Sequence, residues 1–541
     1  MTLRQLTQSL PRPAISGSLD TDISRITYDS RKVVPGVMFV ALRGSKSDGH
    51  DYIDTAIGSG ASAIVAETAP PENCSIPWVH VADSRRAMAL IAAEFYDHPA
   101  KKLLVSAVTG TNGKSTTAFI IHHLMNMAQR RCGLLGTMFY DLGGEEHPAS
   151  HTTPESLELQ KYLDRMVDNG CRSVSMEASS HALHQGRVHG MRFDIGVFTN
   201  LTQDHLDYHS TLEDYFDAKS QLFQVIADQS KGQMIINGDD SWGRKLALRF
   251  ENTGRVLTFG FGVKCDFRAS DVRYDLTGTS FQLDAKGKHF LVRSPLIGDF
   301  NVYNTLAALA ATAGLGANLR EAITNVKTTP QVPGRLERIS EDHHKVHVFV
   351  DYAHTPDAIV NVLKAARALR PQRIITVFGC GGDRDRIKRP LMARAAEQGS
   401  DVCVLTSDNP RTEDPLQIMA DARNGFTKDR FIEIADRKDA IYAAIGHAQP
   451  GSMVLVLGKG HETYQEINGV KHPFNDCRVA HGGIAYARSL IARQREERMQ
   501  EIEARKRERE FFEGFYRDSA PPPAGSYYDK PDNSGTRRWN T

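Results

Sequence analysis

Apolar positions along this chain fall into short β-rich runs separated by helical stretches, and the alternation is cleanest in its last third. From Pro333-Gly334-Arg335 onward the pattern predicts strands at 346–350, 374–378, 402–406, 431–434 and 453–457. Helices are predicted between them at 356–369, 388–398, 415–426 and 437–447. Strictly alternating strands and helices imply a parallel sheet covered on both faces. Polar, glycine-rich segments follow four of the strands: Asp351-Tyr352-Ala353-His354-Thr355-Pro356, Gly379-Cys380-Gly381-Gly382-Asp383-Arg384-Asp385, Ser407-Asp408-Asn409-Pro410-Arg411 and Gly458-Lys459-Gly460-His461-Glu462. Open parallel sheets bind ligands at the edge where such segments meet, so four of them predict a site.

The same alternation, less regular, fills the first two thirds. Residues 1–100 hold short runs at 37–42, 52–59, 63–66 and 78–81 and a helical stretch at 84–97, closed by Pro99. Two polar segments there, Thr27-Tyr28-Asp29-Ser30-Arg31 and Gly44-Ser45-Lys46-Ser47-Asp48-Gly49-His50, are ordinary turns or a pair of loops able to hold a diphosphate or sugar. Residues 101–333 open with an apolar run, 103–108, that stops at Thr109-Gly110-Thr111-Asn112-Gly113-Lys114-Ser115-Thr116 and continues as a helix over 118–127. Strand, glycine turn and helix is the setting of a phosphate-binding loop: backbone N–H groups face the anion, Lys114 adds charge, and Ser115 can ligate Mg²⁺. The loop is a shortened version, with Val108 where the general pattern has glycine. The competing reading is a helix capped by Thr109 or Asn112.

Further polar groups gather at later strand ends. Glu177 closes the strand at 173–176, where a nucleotide-bound Mg²⁺ finds a protein carboxylate, or where a strand simply ends exposed. The run at 193–198 opens into Thr199-Asn200-Leu201-Thr202-Gln203-Asp204-His205-Leu206-Asp207, dense in ionisable groups. Lys219, on the next helix, has solvated surface charge as its default reading. Asn301 and Asn304 precede an Ala-rich helix at 305–313 and either cap it or offer amides to an adenine edge. Arg411 follows a strand in a turn, or aims a guanidinium at a carboxylate beside Arg384.

Length and composition bound the rest. At 541 residues, three domains are expected. A formal charge of +1 argues against a nucleic-acid binder that relies on phosphate neutralisation. No apolar run has the length of a membrane span, the N-terminus lacks a signal pattern, and seven scattered cysteines fit a reducing compartment, so a cytoplasmic protein is expected. Residues 493–510 mix Arg and Glu densely as a solvated helix would, and 519–541, rich in Pro, Gly, Ser and Asp, are expected to be disordered.

In order along the chain, the shortened phosphate loop, Met176-Glu177-Ala178-Ser179-Ser180-His181, Thr199-Asn200-Leu201 with Asp204-His205-Leu206-Asp207, Asn301 with Asn304, and Asp351-Tyr352-Ala353-His354-Thr355-Pro356 resemble the Mur ligase family, ATP-dependent amino-acid ligases of peptidoglycan synthesis. The resemblance runs from about residue 24 to 488 and is closest to the branch that makes the tripeptide. It implies an α/β protein: a smaller N-terminal α/β domain (1–100) for the UDP-sugar, a central P-loop ATPase-like parallel sheet (101–333), a C-terminal Rossmann-like doubly wound domain (334–490) for the amino acid, and a charged helix and tail (491–541). ATP would be held by Gly110, Thr111, Asn112, Gly113, Lys114, Ser115, Thr116, Asn301, Asn304, Arg335 and Asp351. UDP-N-acetylmuramoyl-L-alanyl-D-glutamate would be held by Tyr28, Ser30, Ser45, Lys46, Ser47, His151, Thr152, Thr153, Ser179, Gln185 and Arg187; relatives often place an amide where His151 stands.

The resemblance further implies that Ser115, Glu177, His205 and a carbamylated Lys219 (N6-carboxylysine, formed with CO₂) ligate Mg²⁺, with Lys114, Glu177, His205 and Lys219 as the catalytic set. Arg384, Asp408, Asn409, Pro410, Arg411, Gly458 and Glu462 would hold the amino acid, and the loop with Arg411 selects meso-diaminopimelate over lysine through the extra carboxylate. The reaction implied is phosphorylation of the D-glutamate side-chain carboxylate and attack on the acyl phosphate by the amine, in a monomer with no nucleic-acid partner and no membrane span. Two rivals stand beside it. A folylpolyglutamate synthase would lack the N-terminal unit and the Asp-Asn-Pro-Arg loop, and a nucleotide-driven switch or motor would need no second substrate site.

Overall fold

The computed structural model describes residues 1–44, 47–339 and 345–518. Ser45, Lys46 and the tail at 519–541 lie outside the described residues. The chain forms two compact units, Met1–Gly483 and Ile484–Thr541, and three large sheets and a small hairpin lie in the first.

The N-terminal sheet runs Ala14–Ser16, Trp78–His80, Ala63–Ala66, Val37–Val40, Arg25–Thr27, parallel except for the antiparallel pair at Ala14–Ser16. Val37–Val40 and Ala63–Ala66 are buried along their whole length, as continuous apolar runs in a two-sided sheet should be.

The central sheet has eleven strands. Its middle is parallel: Leu104–Thr109 lies between Ser173–Glu177 and Ile195–Phe198, with Glu177 beside Val108 and Phe198 beside Thr109. Three strands therefore release their loops at one edge. Val105 and Ala107 face one apolar cluster and Val108 the other, which is how a strand with a near-continuous apolar run serves both faces of a sheet. Helices Lys114–Met127 and Asp299–Gly314 pack on one face; Ser156–Asp168 and Leu212–Asp228 pack on the other. Both edges carry antiparallel additions, the longer being the meander Phe267–Asp275, Gly278–Ala285, Lys288–Ser294.

The third sheet runs Glu337–Arg338, His347–Asp351, Ser452–Leu457, Arg373–Cys380, Val402–Ser407, Phe431–Glu433, parallel apart from its first pair. The strand–helix alternation read from the sequence is present here strand by strand. One ion pair, unanticipated, fixes its ligand edge. Arg437 donates from Nε and Nη2 to the two oxygens of Asp476 at 2.8 and 2.7 Å, and Nη2 also reaches the Leu457 carbonyl at 2.9 Å. Both side chains are wholly buried. A two-pronged geometry with a third acceptor satisfied is what makes a buried pair tolerable.

Helix Asp476–Asp518 continues from that pair, and no helix of the described residues is long and apolar enough to cross a membrane. Arg437→Ala would leave Asp476 charged and unpartnered in the interior, at a cost of about 3–5 kcal/mol. Urea unfolding followed by circular dichroism should show this loss, and a variant within 1 kcal/mol of the parent would show that the pair is dispensable.

Candidate active site

A cavity of about 1280 Å³ lies where the ligand edges of the central and third sheets face each other. The phosphate loop forms its floor. Gly110 sits at φ 148°, and a Cβ there would lie 1.9 Å from Thr199 Oγ1, so only glycine lets the loop pass the neighbouring strand end. Asn200 holds the loop from that strand, its carbonyl accepting from Thr111 N–H and its Oδ1 from Asn112 N–H, each at 2.9 Å. The helix starts at Lys114, earlier than expected, and its N-cap is Gly113 without a side-chain cap, so capping by Thr109 or Asn112 is overturned. The uncapped first turn, from Lys114 to Thr116, keeps the N–H groups that a helix start offers to an anion. Lys114 Nζ folds back on the carbonyls of Gly110 and Thr111 at 3.0 and 2.8 Å, and burial lowers its pKa against the opposing pull of Glu177 and Asp204.

Glu177 is buried, not an exposed strand end. Ser115 Oγ donates to it at 3.0 Å, and Thr137 donates from its backbone N–H at 2.7 Å and its hydroxyl at 3.1 Å. Lys219 is 1 % exposed, which overturns the surface-charge reading. Its Nζ donates to the Gly110 carbonyl at 2.8 Å and lies 4.4 Å over the Tyr215 ring. Burial first, and the charge of Lys114 second, push its pKa well below the ordinary lysine value. His205, at φ 55°, is 3.5 Å from Asp204; burial lowers its pKa and favours the neutral ring.

Ser115, Glu177, His205 and Lys219 all line the cavity. Among the described residues no three His, Cys, Asp or Glu side chains are grouped as a self-sufficient metal site. The donors fit Mg²⁺ all the same, since that ion takes one or two carboxylates and completes its shell with phosphate and water.

The cavity's far wall carries His151, Thr152, Thr153, Ser179 and Arg187. Thr153 Oγ1 donates to the Glu177 carbonyl at 2.8 Å, and Arg187 reaches the Thr153 carbonyl at 2.9 Å and Glu155 at 3.0 Å. Gln185 accepts from Arg187 Nε at 3.1 Å and lies behind this wall. Tyr28, Ser30 and Ser47 do not reach the cavity lining. Tyr28 instead donates to Glu158 at 3.2 Å, on the helix next to Glu155.

From the third sheet, Arg335 Nη2 donates to Ser115 Oγ at 3.0 Å, and its guanidinium lies 4.5 Å over the Tyr352 ring. Asp351 accepts from Leu336 and Ala353 N–H, with burial raising its pKa. Two more bridges join the edges: Asn112 Nδ2 to Asp357 at 3.0 Å, and His461 Nε2 to the Thr137 carbonyl at 3.2 Å. Arg384 and Glu462 line the cavity, whereas Asp408, Asn409, Pro410, Arg411 and Gly458 stand behind them. Arg411 and Arg384 flank Gly381, and Arg411 hydrogen-bonds the Gly382 carbonyl. Fully buried Lys459 ties this set together, donating to Asn409 Oδ1 at 2.9 Å and Glu462 Oε2 at 2.8 Å.

The Ala-rich helix begins at Asp299, so Asn301 and Asn304 lie inside it and do not cap it. Asn301 donates to the Ile297 carbonyl at 2.9 Å and accepts from Asn304 Nδ2 at 3.0 Å, and of the two Asn304 alone faces the cavity. Thr137 and Asp357 escaped the sequence reading, and Lys459 entered it only as part of its loop. Thr137 and Asp357 have no local pattern, but Lys459, a lysine between two glycines at a strand end, had one.

A phosphate loop opposed by a second parallel-sheet edge defines a class of protein, and the chain belongs to the Mur ligase family. It matches the Mur ligase catalytic domain over 22–96, the middle domain over 108–312 and the glutamate ligase domain over 334–460. It is 44 % identical over 493 residues to the UDP-N-acetylmuramoyl-L-alanyl-D-glutamate--2,6-diaminopimelate ligase of Geobacillus thermodenitrificans, covering 90 % of this chain and 99 % of the relative. The ligase of that name from Solibacter usitatus is 43 % identical, with 87 % and 95 % covered. A solved structure of a ligase of that name is 36 % identical with a TM-score of 0.64, covering 90 % of this chain and 99 % of its own. A Mycobacterium tuberculosis folylpolyglutamate synthase shares the fold at 17 % identity over 69 % of this chain.

Gly113→Ala should abolish tight nucleotide binding, because residue 113 has φ 85° and a Cβ would stand 2.4 Å from Asn304 Oδ1. Strain of about 1–3 kcal/mol corresponds to roughly 5- to 150-fold weaker ATP binding by calorimetry. Unchanged affinity would place the nucleotide elsewhere.

Proposed function

We propose that this protein is an ATP-dependent, ADP-forming ligase that joins meso-diaminopimelate to the D-glutamate side-chain carboxylate of UDP-N-acetylmuramoyl-L-alanyl-D-glutamate. The observation that carries the reading is one cavity lined by the phosphate loop, by Thr152, Thr153 and Arg187, and by Arg384 and Glu462. A nucleotide, an acid and an amino acid can meet there. Coverage of 99 % of the Geobacillus ligase supports the same substrates. We take 1–100, 101–333 and 334–490 as three domains followed by a helix and tail, acting as a monomer in the cytoplasm.

A carboxylate is a poor acyl donor at neutral pH, so the γ-phosphoryl of ATP passes first to the D-glutamate carboxylate. The start of the helix Lys114–Met127 and the Lys114 ammonium face the phosphates, and fixed positioning carries most of the catalysis. Mg²⁺, when bound, offsets charge on the transferring group; Ser115, Glu177, His205 and carbamylated Lys219 would hold it. Thr152, Thr153 and Arg187 would hold the muramoyl-dipeptide acid in line with the phosphoryl group. The UDP end would extend toward Tyr28, Ser30 and the loop with Ser45, Lys46 and Ser47. The amine then attacks the acyl phosphate and phosphate leaves. The bridges from Arg335, Asp357 and His461 to the central loops keep water from the acyl phosphate.

Lys219 is suited to carbamylation because the neutral amine is what attacks CO₂, losing one proton and becoming a carbamate anion. Burial and Lys114 both favour that neutral form. Lys219→Ala should lose most activity and recover part of it with added short carboxylates, while a fully active variant would leave the residue without a role. Phosphate release should need ATP, the muramoyl-dipeptide nucleotide and the amino acid together, because phosphate leaves only when the amine attacks. Release with ATP alone would favour the switch or motor reading.

Specificity rests on the two arginines beside Gly381. Meso-diaminopimelate carries a carboxylate where lysine has none, and lysine would leave the Arg384 guanidinium on the cavity wall without that partner, while Arg411 supports the wall from behind through the Gly382 carbonyl. Arg411→Ala should lose roughly 2–5 kcal/mol of discrimination between the two amino acids in kcat/KM. A parent enzyme that prefers lysine would refute the specificity and leave the ligase reading standing.

A further inference from the structure

The helix Asp476–Asp518 lies beyond residue 460 of the chain, where the match to the family's glutamate ligase domain ends. The Geobacillus relative is itself covered to 99 %, yet a tenth of this chain has no counterpart in it. From Ile491 to Glu513 every residue is exposed. Ion pairs one turn apart, Arg507 with Glu503, Lys506 with Glu510 and Arg509 with Glu513, support the helix along its surface.

Those pairs would form wherever the charges were placed around the axis, but here the charges are sorted. On a turn of 3.6 residues, an arc of about 140° carries Arg495, Arg498, Arg505, Lys506 and Arg509 against one acid, Glu513. The remaining surface carries six glutamates and two arginines. Exposed apolar residues share the cationic arc: Ile491 and Ile502 at its middle, Met499 and Phe512 at its borders. Phe511 alone among the large apolar side chains faces the acidic side.

We propose that this face lies on an anionic lipid surface, with Ile491, Ile502, Met499 and Phe512 entering the headgroup layer and the five cations at the phosphates. Long Lys and Arg stems cover apolar surface while their heads stay polar, so the mixed face suits the boundary between acyl chains and water. A two-fold pair of chains would set cation against cation on this face and is disfavoured. A nucleic acid would match the cations but give the interleaved apolar residues nothing to bury in. The acidic side then faces water and is repelled by the same surface, which orients the helix.

The full-length protein should cosediment with phosphatidylcholine vesicles containing 30 % phosphatidylglycerol at least tenfold more tightly than with phosphatidylcholine alone, and less in 0.5 M salt. Replacing Arg498, Arg505 and Arg509 by Gln should abolish this binding. Ile502→Ser should weaken it severalfold at unchanged charge, and replacing Glu496, Glu503 and Glu508 by Gln should preserve it. Turnover in the ligase assay should be the same for all of these variants. Absent vesicle binding, or binding indifferent to Ile502→Ser, overturns the proposal. So does concentration-dependent association in sedimentation velocity, or heparin binding without vesicle binding.

Discussion

The constraint on which the rest of the structure depends is the close passage of the phosphate loop between two neighbouring strand ends. Leu104–Thr109 is hydrogen-bonded to Ser173–Glu177 on one side and to Ile195–Phe198 on the other, so Glu177 and Thr199 bracket the loop. Asn200 pins the loop from one side, and the Glu177–Ser115 hydrogen bond fixes it from the other. Glu177 is buried and also held by Thr137, so the loop is anchored to a carboxylate that is itself fixed in place.

Around that fixed point the charges are arranged in alternation. Lys114 and Lys219 converge on the Gly110 carbonyl, Arg335 crosses from the third sheet to Ser115, and Glu177 and Asp204 supply the opposing sign. Two lysines sharing one acceptor raise each other's cost of staying charged, and this separates the exceptionally buried Lys219 from an ordinary helix-surface lysine. The third sheet brings its own rigid support. Arg437 and Asp476 fix the end of Ser452–Leu457, and Lys459 sets Asn409 and Glu462, so the third-sheet side of the cavity is as preorganised as the side formed by the loop at Gly110.

The order of strands and helices in the third sheet was legible in the sequence because a strand buried on both faces leaves a continuous apolar run. Its cavity edge was legible in part, because polar segments follow four of the runs, although the one at 407–411 stands behind the cavity wall. The phosphate loop and Glu177 could be read for the same local reason, as could the identity of the family, from ordered blocks. Ends of helices were less legible: those at Lys114 and Asp299 start earlier than their apolar periodicity, since polar first turns face the cavity and not the core.

Tertiary structure decided what depends on residues far apart in the chain. The burial of Lys219 follows from the helix Leu212–Asp228 packing beside the loop at Gly110, 109 positions away, and no local pattern encodes that. The separation of Arg384 and Glu462, on the cavity wall, from Arg411, behind it, follows from how Gly381 and the hairpin at Tyr464–Ile467 pack. Likewise Tyr28 and Ser30 resemble cavity residues in the sequence but lie away from it, because the N-terminal sheet meets the central unit through Glu158 and Glu155. Periodicity reports which face of an element is buried, so the sequence alone determined the elements and their order. Which side chains share a cavity is set by packing between elements, and only the folded chain brings those together.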